Sequence, residues 1–189
     1  RLPIDIFTLD TGLLFPETYE LWQRFEQRHE LSIRGVQPEL SVDEQAATHG
    51  PDLWTRQADR CCQMRKVEPL LAKLSGFDAW ITAVRRDQSE NRGQILAVEW
   101  DPKFNLVKVN PLIRWTKLGV WFRLLRHNVP YNALYGRGYP SIGCRPCPSA
   151  VVKGEDDRAG RWRGIAKSEY GIHTQMGTTQ KIGGPDPDT

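Results

Sequence analysis

Apolar and polar positions in the first 40 residues predict a strand, a helix and a second strand. Residues 2–9 alternate and then run apolar, as in a buried strand, and Asp10-Thr11-Gly12 follows as a turn. From Pro16 onward, aromatic residues recur every three or four positions, which predicts an amphipathic helix. Residues 33–36 are typical of a short strand. This order indicates a βαβ unit of a parallel sheet.

The middle of the chain continues to alternate between helical and strand patterns. Residues 66–74 carry apolar side chains at helical spacing, so we expect the adjacent pair Cys61-Cys62 at the start of a helix. Three segments with β-branched residues predict strands, at positions 79–84, 94–100 and 106–109. The pattern therefore favours an α/β protein with a parallel sheet.

A last helix is predicted over residues 116–127, with Thr116 as its N-terminal cap. We expect its apolar side chains to face inward, namely Leu118, Val120, Trp121, Leu124 and Leu125. From Gly136 the composition changes to glycine, proline, cysteine and charged residues, which is typical of a loop-rich region that builds a site. Residues 176–189 lack apolar spacing, and a flexible tail is expected there.

Charge and hydropathy exclude several classes of protein. The 26 basic and 23 acidic residues give a net charge of +3, which does not indicate a nucleic-acid partner. The apolar runs are far shorter than the roughly 20 residues of a membrane span, and no secretory signal is recognisable. The chain opens at Arg1 and passes at once into an apolar run. We therefore expect a cytoplasmic protein whose N-terminal part is missing from this sequence.

The four cysteines fall into two pairs, Cys61-Cys62 and, about 80 residues later, Cys144 and Cys147 in a CxxC motif. The chain has four cysteines in all, and four thiolate ligands are the number that a 4Fe-4S cluster or a structural zinc ion needs. Two disulfides are disfavoured, because adjacent cysteines do not easily bridge and no secretion signal is present. From the residues alone, a 4Fe-4S cluster is favoured, and a zinc site remains the alternative.

Five motifs then follow one another in the order found in one family. The motifs are LDTG at 9–12 with PETY at 16–19, RCCQMRKVEPL at 60–70, RRDQS at 85–89, YPSIGCRPC at 139–147 and GEDDRAGRW at 154–162. Together they resemble the motifs of the adenylyl-sulfate reductases. The resemblance covers residues 2–175, so we expect one reductase-like domain over residues 1–175.

The resemblance implies a three-layer α/β fold of the adenine-nucleotide α-hydrolase kind, with helices on both faces of the sheet. It also implies a 4Fe-4S cluster on the four cysteines and the reduction of adenosine 5′-phosphosulfate to sulfite and AMP with thioredoxin as electron donor. Self-association into a homo-oligomer is left open.

The resemblance also assigns residues to the substrate. Lys66 is expected between the cluster and the nucleotide, and the phosphosulfate is expected to meet Arg92, Arg158 and Arg161, since guanidinium groups suit such an anion. Leu9 and Asp10 are assigned to the nucleotide site. Arg85 and Arg86 are further candidates, although one of them is an equally good ion-pair partner for Asp87.

The sequence departs from the family where the resemblance places the catalytic cysteine. Relatives carry a Glu-Cys-Gly-Leu-His run there, whereas this chain has Tyr170, followed by Gly171 and His173. The resemblance makes Tyr170, at the position of the nucleophile, and His173 the catalytic candidates. A phenol with a pKa near 10 is a poor nucleophile and cannot form the thiosulfonate intermediate. Two hypotheses follow: a reductase altered at its nucleophile, or a homologue that binds nucleotide and cluster for sulfur transfer, sensing or structure.

Overall fold

The computed structural model describes residues 4–164 and 171–173. Tyr170 and the predicted tail lie outside these ranges, so what the sequence predicts for them stays a prediction. Every helix of the described residues is too short or too polar to span a bilayer.

The first sheet contains two parallel strands connected by a helix. Strand β1 (Phe7–Leu9) pairs with strand β2 (Arg34–Val36), and helix α1 (Pro16–His29) runs between them. The predicted βαβ unit is thereby confirmed, although β1 is shorter than expected. Gly35 of β2 permits close packing, because a Cβ at that position would lie 2.7 Å from the Trp22 ring.

A second sheet has three strands in the order β3 (Ala79–Ile81), β5 (Leu106–Val109), β4 (Val98–Asp101). Strands β3 and β5 are parallel, but β4 is antiparallel to β5. The predicted parallel pairing is present between β3 and β5, whereas β4 runs antiparallel, and the strand predicted at 94–100 begins only at Val98. The short turn at 102–105 explains the direction, since a parallel connection needs about a dozen residues or more.

Between the two sheets the chain is helical. Four helices and one π turn follow β2, namely α2 (Val42–His49), α3 (Leu53–Arg56), α4 (Ala58–Cys62), the π turn Gln63–Val67 and α5 (Glu68–Leu74). Helix α2 begins with a capping box made by Ser41 and Glu44. The helical region that carries the cysteine pair therefore starts at Ala58, earlier than the spacing of apolar residues predicted.

Helix α6 (Lys117–Arg126) is capped as predicted, because the Thr116 hydroxyl accepts a hydrogen bond from Gly119 N at 3.1 Å. Trp121 faces the body of the protein and packs edge-on against Tyr131 and Tyr135. However, Leu118 is 79% exposed and Leu125 is 64% exposed, so their predicted inward orientation is wrong. Apolar residues occupy both sides of this helix, and periodicity alone selected the wrong side for these two.

The main core lies between α5 and the second sheet. Its buried members are Leu70, Leu74, Trp80, Phe104 and Leu106. Residues of β1 and Ile172 pack against the same cluster. This core therefore holds together the elements that surround the site.

Candidate functional site

The helical stretch from α4 to α5 places two cysteines and two basic residues next to one another. Cys61 and Cys62 end α4 and are buried, and Arg65 and Lys66 follow four positions later in the π turn. Residues four apart lie on the same side of a helix, one turn along. π turns occur frequently at functional sites. Each thiol thus has a basic side chain from the next turn nearby.

Backbone pairing holds the CxxC loop on both sides. Cys144 forms an isolated antiparallel bridge with Leu14, and Arg145 N donates to Leu13 O at 2.7 Å. On the other side, Trp162 N donates to Cys147 O at 3.2 Å. The loop is tightened internally by a 2.9 Å hydrogen bond from Cys147 N to Cys144 O. The motif's position is consequently set by the turn after β1 and by the 161–162 segment.

The four thiols are free, and electrostatic interactions connect the two cysteine pairs. Burial, together with the neighbouring Cys62, raises the pKa of Cys61 to about 11. A hydrogen bond from the Cys147 thiol lowers the pKa of Cys144 to about 5, with smaller help from Lys66 and Thr11. The same hydrogen bond, together with burial, raises the pKa of Cys147. The disulfides disfavoured by the sequence are absent, and the two cysteine pairs meet in space.

Buried basic residues surround these thiols. Arg65 is 2% exposed, and its Nη1 donates to Thr11 O at 2.7 Å. Arg161 is also buried. Its burial and the neighbouring Arg158 lower the pKa of Arg161 to about 10, although three cysteine thiols act to raise it. With Lys66, these cations can balance the negative charge of a metal–thiolate centre.

The arrangement of the four thiols suits a cluster of several metal atoms better than a single metal ion. No group of three or more His, Cys, Asp or Glu side chains within the described residues is spaced to hold one metal ion. Cysteine ligands of a 4Fe-4S cluster bind four different iron atoms, so they need not converge on one point. Four neighbouring thiols with adjacent cations therefore fit the chemistry of such a cluster.

A cavity of about 780 Å³ opens beside the cysteines, between β1 and β3. It brings together four of the predicted substrate and catalytic residues, Leu9, Lys66, Arg92 and His173. Cys144 and Thr11 also line it, so one predicted metal ligand forms part of its wall. Most of the remaining lining is apolar, including Leu70, Trp80 and Ile142. An apolar cavity with a few converging polar groups is typical of a small-molecule site.

Asp10 is not among the residues that line this cavity. Its carboxylate accepts hydrogen bonds from the Tyr19 hydroxyl at 2.7 Å, from Gly12 N at 3.1 Å and from Gln37 Nε2 at 3.2 Å. Burial opposes ionisation, but these bonds together lower the pKa of Asp10. The side chain consequently shapes the turn after β1.

Two other predicted site residues, Arg85 and Arg158, line a separate cavity of about 150 Å³. Arg85 Nε lies 2.8 Å from Asp87 Oδ1, so Arg85 is the ion-pair partner of Asp87, while its contact with the substrate stays a prediction. Arg86 instead donates from Nε and Nη2 to Ile95 O, at 3.0 and 2.9 Å. Arg161 lines neither cavity and lies near the cysteines. With Arg92 in the large cavity, the predicted arginines are thus distributed over four places.

Residues 171–173 reach the large cavity, although Tyr170 is outside the described residues. Ile172 and His173 line the cavity, and the His173 ring stacks on Trp80 with a centroid distance of 5.9 Å. The structure thus brings the segment after position 170 to the same cavity as Lys66.

Sequence reasoning missed Arg65, Thr11 and Trp80. The Thr11 hydroxyl lies 3.2 Å from Cys144 Sγ, and Trp80 forms part of the cavity floor. Arg65 could have been suspected from its position four residues after Cys61. Thr11 and Trp80 gave no such signal, because a turn threonine and a strand tryptophan are common in any α/β protein.

Comparisons with known proteins agree on one family. The phosphoadenosine phosphosulfate reductase domain matches residues 2–150. The chain is 48% identical over 171 residues to the adenosine 5′-phosphosulfate reductase of Oceanobacillus iheyensis, covering 90% of this chain and 71% of the relative. It is 47% identical to adenosine 5′-phosphosulfate reductase 2 of Bacillus subtilis, covering 90% and 72%.

Solved structures give the same picture of the fold. The phosphoadenylyl-sulfate reductase of Candida auris, solved with phosphate, superposes with a TM-score of 0.68 at 30% identity, covering 80% of this chain and 73% of that one. The FMN adenylyltransferase of Candida glabrata shares only the fold, with a TM-score of 0.53 at 16% identity over 82% and 49% of the two chains. The predicted α/β fold of the adenine-nucleotide α-hydrolase kind is therefore confirmed.

Proposed function

Because the chain belongs to the phosphoadenosine phosphosulfate reductase domain family, we propose that its large cavity binds adenosine 5′-phosphosulfate for reduction in sulfate assimilation. The names of its relatives, which are adenosine 5′-phosphosulfate reductases, favour the nucleotide without a 3′-phosphate. The products are sulfite and AMP, and the proposed electron donor is cytoplasmic thioredoxin.

The observation that carries this proposal is that Lys66 and Cys144 line the same cavity. Lys66 belongs to the π turn after the cysteine pair, and Cys144 belongs to the CxxC motif. A substrate anion in the cavity therefore lies against the region where the two cysteine pairs meet. Arg92, which is buried and lines the same cavity, supplies a second cation for the phosphosulfate.

Cys61, Cys62, Cys144 and Cys147 are the proposed ligands of a 4Fe-4S cluster. When bound, this cluster would supply a fixed negative charge beside the substrate. Lys66 and Arg65 balance charge in that region and keep the cysteine helix and the turn after β1 together. Thr11 holds the Cys144 sulfur through its hydroxyl.

The reaction itself needs a thiolate at position 170. In the mechanism implied by the family, this thiolate attacks the sulfur of the phosphosulfate, a sulfur–sulfur bond forms, the sulfur–oxygen bond breaks, and AMP leaves. A dithiol of thioredoxin then attacks the enzyme sulfur, releases sulfite and becomes a disulfide. Tyr170 supplies no thiol. We therefore propose that this chain binds the nucleotide and that sulfite release requires a cysteine at position 170.

The test measures sulfite release under anaerobic conditions from adenosine 5′-phosphosulfate and reduced thioredoxin. We expect no turnover by the unchanged chain and turnover by Tyr170→Cys, while Tyr170→Ser serves as a matched control without a thiol. Calorimetric titration of the unchanged chain with adenosine 5′-phosphosulfate should show binding. Absence of both binding and Tyr170→Cys activity would refute the proposal.

A further inference from the structure

Residues 171–173 contact the body of the protein through each of their three positions. The Gly171 carbonyl accepts a hydrogen bond from Lys103 Nζ. Ile172 packs against the main core, and the His173 ring lies nearly parallel to Trp80, at 12°. One polar contact and two packing contacts thus fix this short segment.

Lys103 lies in the turn between β4 and β5, far from Gly171 in sequence. Its own backbone is held, because Lys103 N donates to Asp101 Oδ1 at 3.1 Å. Its ammonium also lies 5.8 Å from the centre of the Phe104 ring, which belongs to the main core. The backbone bond and the Phe104 contact therefore already order Lys103 in part, before its ammonium holds a backbone carbonyl.

The space around Gly171 shows what the contact positions. Gly171 has a φ of +81°, and a Cβ there would lie 3.7 Å from Lys103 Nζ and 3.9 Å from Val67 Cγ2. Val67 directly follows Lys66 in the π turn. Gly171 consequently lies between Lys103 and the turn that brings Lys66 to the large cavity.

We propose that Lys103 is a positioning residue that docks the chain after position 170 against the large cavity. Fixing Gly171 holds the start of the 171–173 segment, whose next two residues, Ile172 and His173, line the cavity. Lys103 is not among the residues that line the cavity, and its role is to hold Gly171 beside the Lys66 turn. The significance for catalysis rests on the proposed function, but the docking contact does not.

Hydrogen–deuterium exchange of the full chain tests the contact directly. We expect Lys103→Met to raise amide exchange in residues 171–173 at least about tenfold, with little change in β4 and β5. Lys103→Arg keeps a cationic donor and should restore most of the protection. Lys153→Met, at an exposed lysine elsewhere, is the matched control and should leave exchange unchanged.

A kinetic readout separates positioning from folding. In the Tyr170→Cys background, Lys103→Met should lower kcat about tenfold while KM for adenosine 5′-phosphosulfate changes less than about threefold. Lys103→Arg should recover most of kcat. If Tyr170→Cys proves inactive, the proposed function fails while the exchange result still decides the docking contact.

Two outcomes would overturn the proposal. The first is equal exchange of residues 171–173 in Lys103→Met and the unchanged chain. The second is a rise in exchange that extends through β4 and β5, because it would assign Lys103 to the stability of the hairpin.

Discussion

The large and small cavities both contain predicted substrate arginines, but they differ in how charge is arranged. In the small cavity, Arg85 pairs with Asp87, and Lys117 Nζ lies 2.7 Å from Asp157 Oδ1. The described lining of the large cavity contains one carboxylate, that of Asp5, which pairs with Lys73. Lys66 and Arg92 line that cavity beside Cys144.

This difference distinguishes a structural charge network in the small cavity from the proposed anion site in the large one. In the small cavity the paired charges connect the 85–88 segment to helix α6, because Asp87 Oδ2 also accepts from Lys117 N at 2.5 Å. In the large cavity a basic lysine and arginine converge on a mostly apolar space, where an anion is held more strongly than at a surface. Arginines from neighbouring parts of the sequence, such as Arg85 and Arg92, can thus differ in their surroundings.

The strongest test of this comparison removes the cysteine in the wall of the large cavity. Cys144→Ser should lose most of its iron, to below about a tenth of the unchanged chain, because serine replaces a thiolate ligand. Iron and sulfide analysis of anaerobically purified protein measures this loss. Ser141→Ala, in the lining of the small cavity, is the matched control and should keep its iron. Equal iron content in Cys144→Ser would contradict the ligand assignment.

A second test compares one arginine from each cavity. Arg92→Met should raise the Kd for adenosine 5′-phosphosulfate roughly 10- to 100-fold, since a charge-assisted hydrogen bond contributes about 1.5–3 kcal/mol. Arg85→Met should change the same Kd less than about threefold, because its guanidinium is engaged by Asp87. Calorimetric titration of the Tyr170 chain measures both values without turnover.

Adenosine is the control ligand for this pair of variants. Because adenosine lacks the phosphosulfate, Arg92→Met should weaken its binding much less. Similar losses for Arg85→Met and Arg92→Met would remove the distinction between the two cavities.

The sequence predicted the βαβ unit and the meeting of the two cysteine pairs, but it did not predict the geometry that completes the site. Periodicity identifies the helix around Cys61, whereas the π turn that carries Lys66 has no hydrophobic signature of its own. Likewise, the direction of β4 follows from the length of a turn rather than from its apolar residues.

The predicted substrate residues show a similar limit. A motif identifies residue types at a fixed spacing, but it does not say which partner each side chain selects. Arg85 and Arg86 are adjacent, yet one pairs with Asp87 and the other binds the Ile95 carbonyl. Asp10 belongs to a substrate motif, yet its carboxylate is turned to Tyr19. Such choices depend on tertiary neighbours that are distant in sequence.

The smallest expected effect concerns Asp10, whose charge is directed away from the large cavity. Tyr19→Phe removes a hydrogen bond to the carboxylate and should lower the free energy of unfolding by about 1 kcal/mol at neutral pH. Tyr139→Phe is the matched control, because no hydrogen bond of the Tyr139 hydroxyl is present among the described residues.

The pH dependence of the stability loss in Tyr19→Phe shows whether it comes from the Asp10 carboxylate. The pKa of Asp10 is lowered in the folded protein, so its carboxylate stabilises the fold above the unfolded pKa of about 3.9, and that contribution is lost as pH falls through the folded value. The difference between Tyr19→Phe and the unchanged chain should therefore be full at pH 7 and shrink below about pH 4. Thermal unfolding should show a Tm difference of about 2–4 °C at neutral pH. A difference in stability that stays constant down to pH 3 would mean that Tyr19 stabilises the turn by packing. The orientation of the Asp10 side chain would then not depend on its charge.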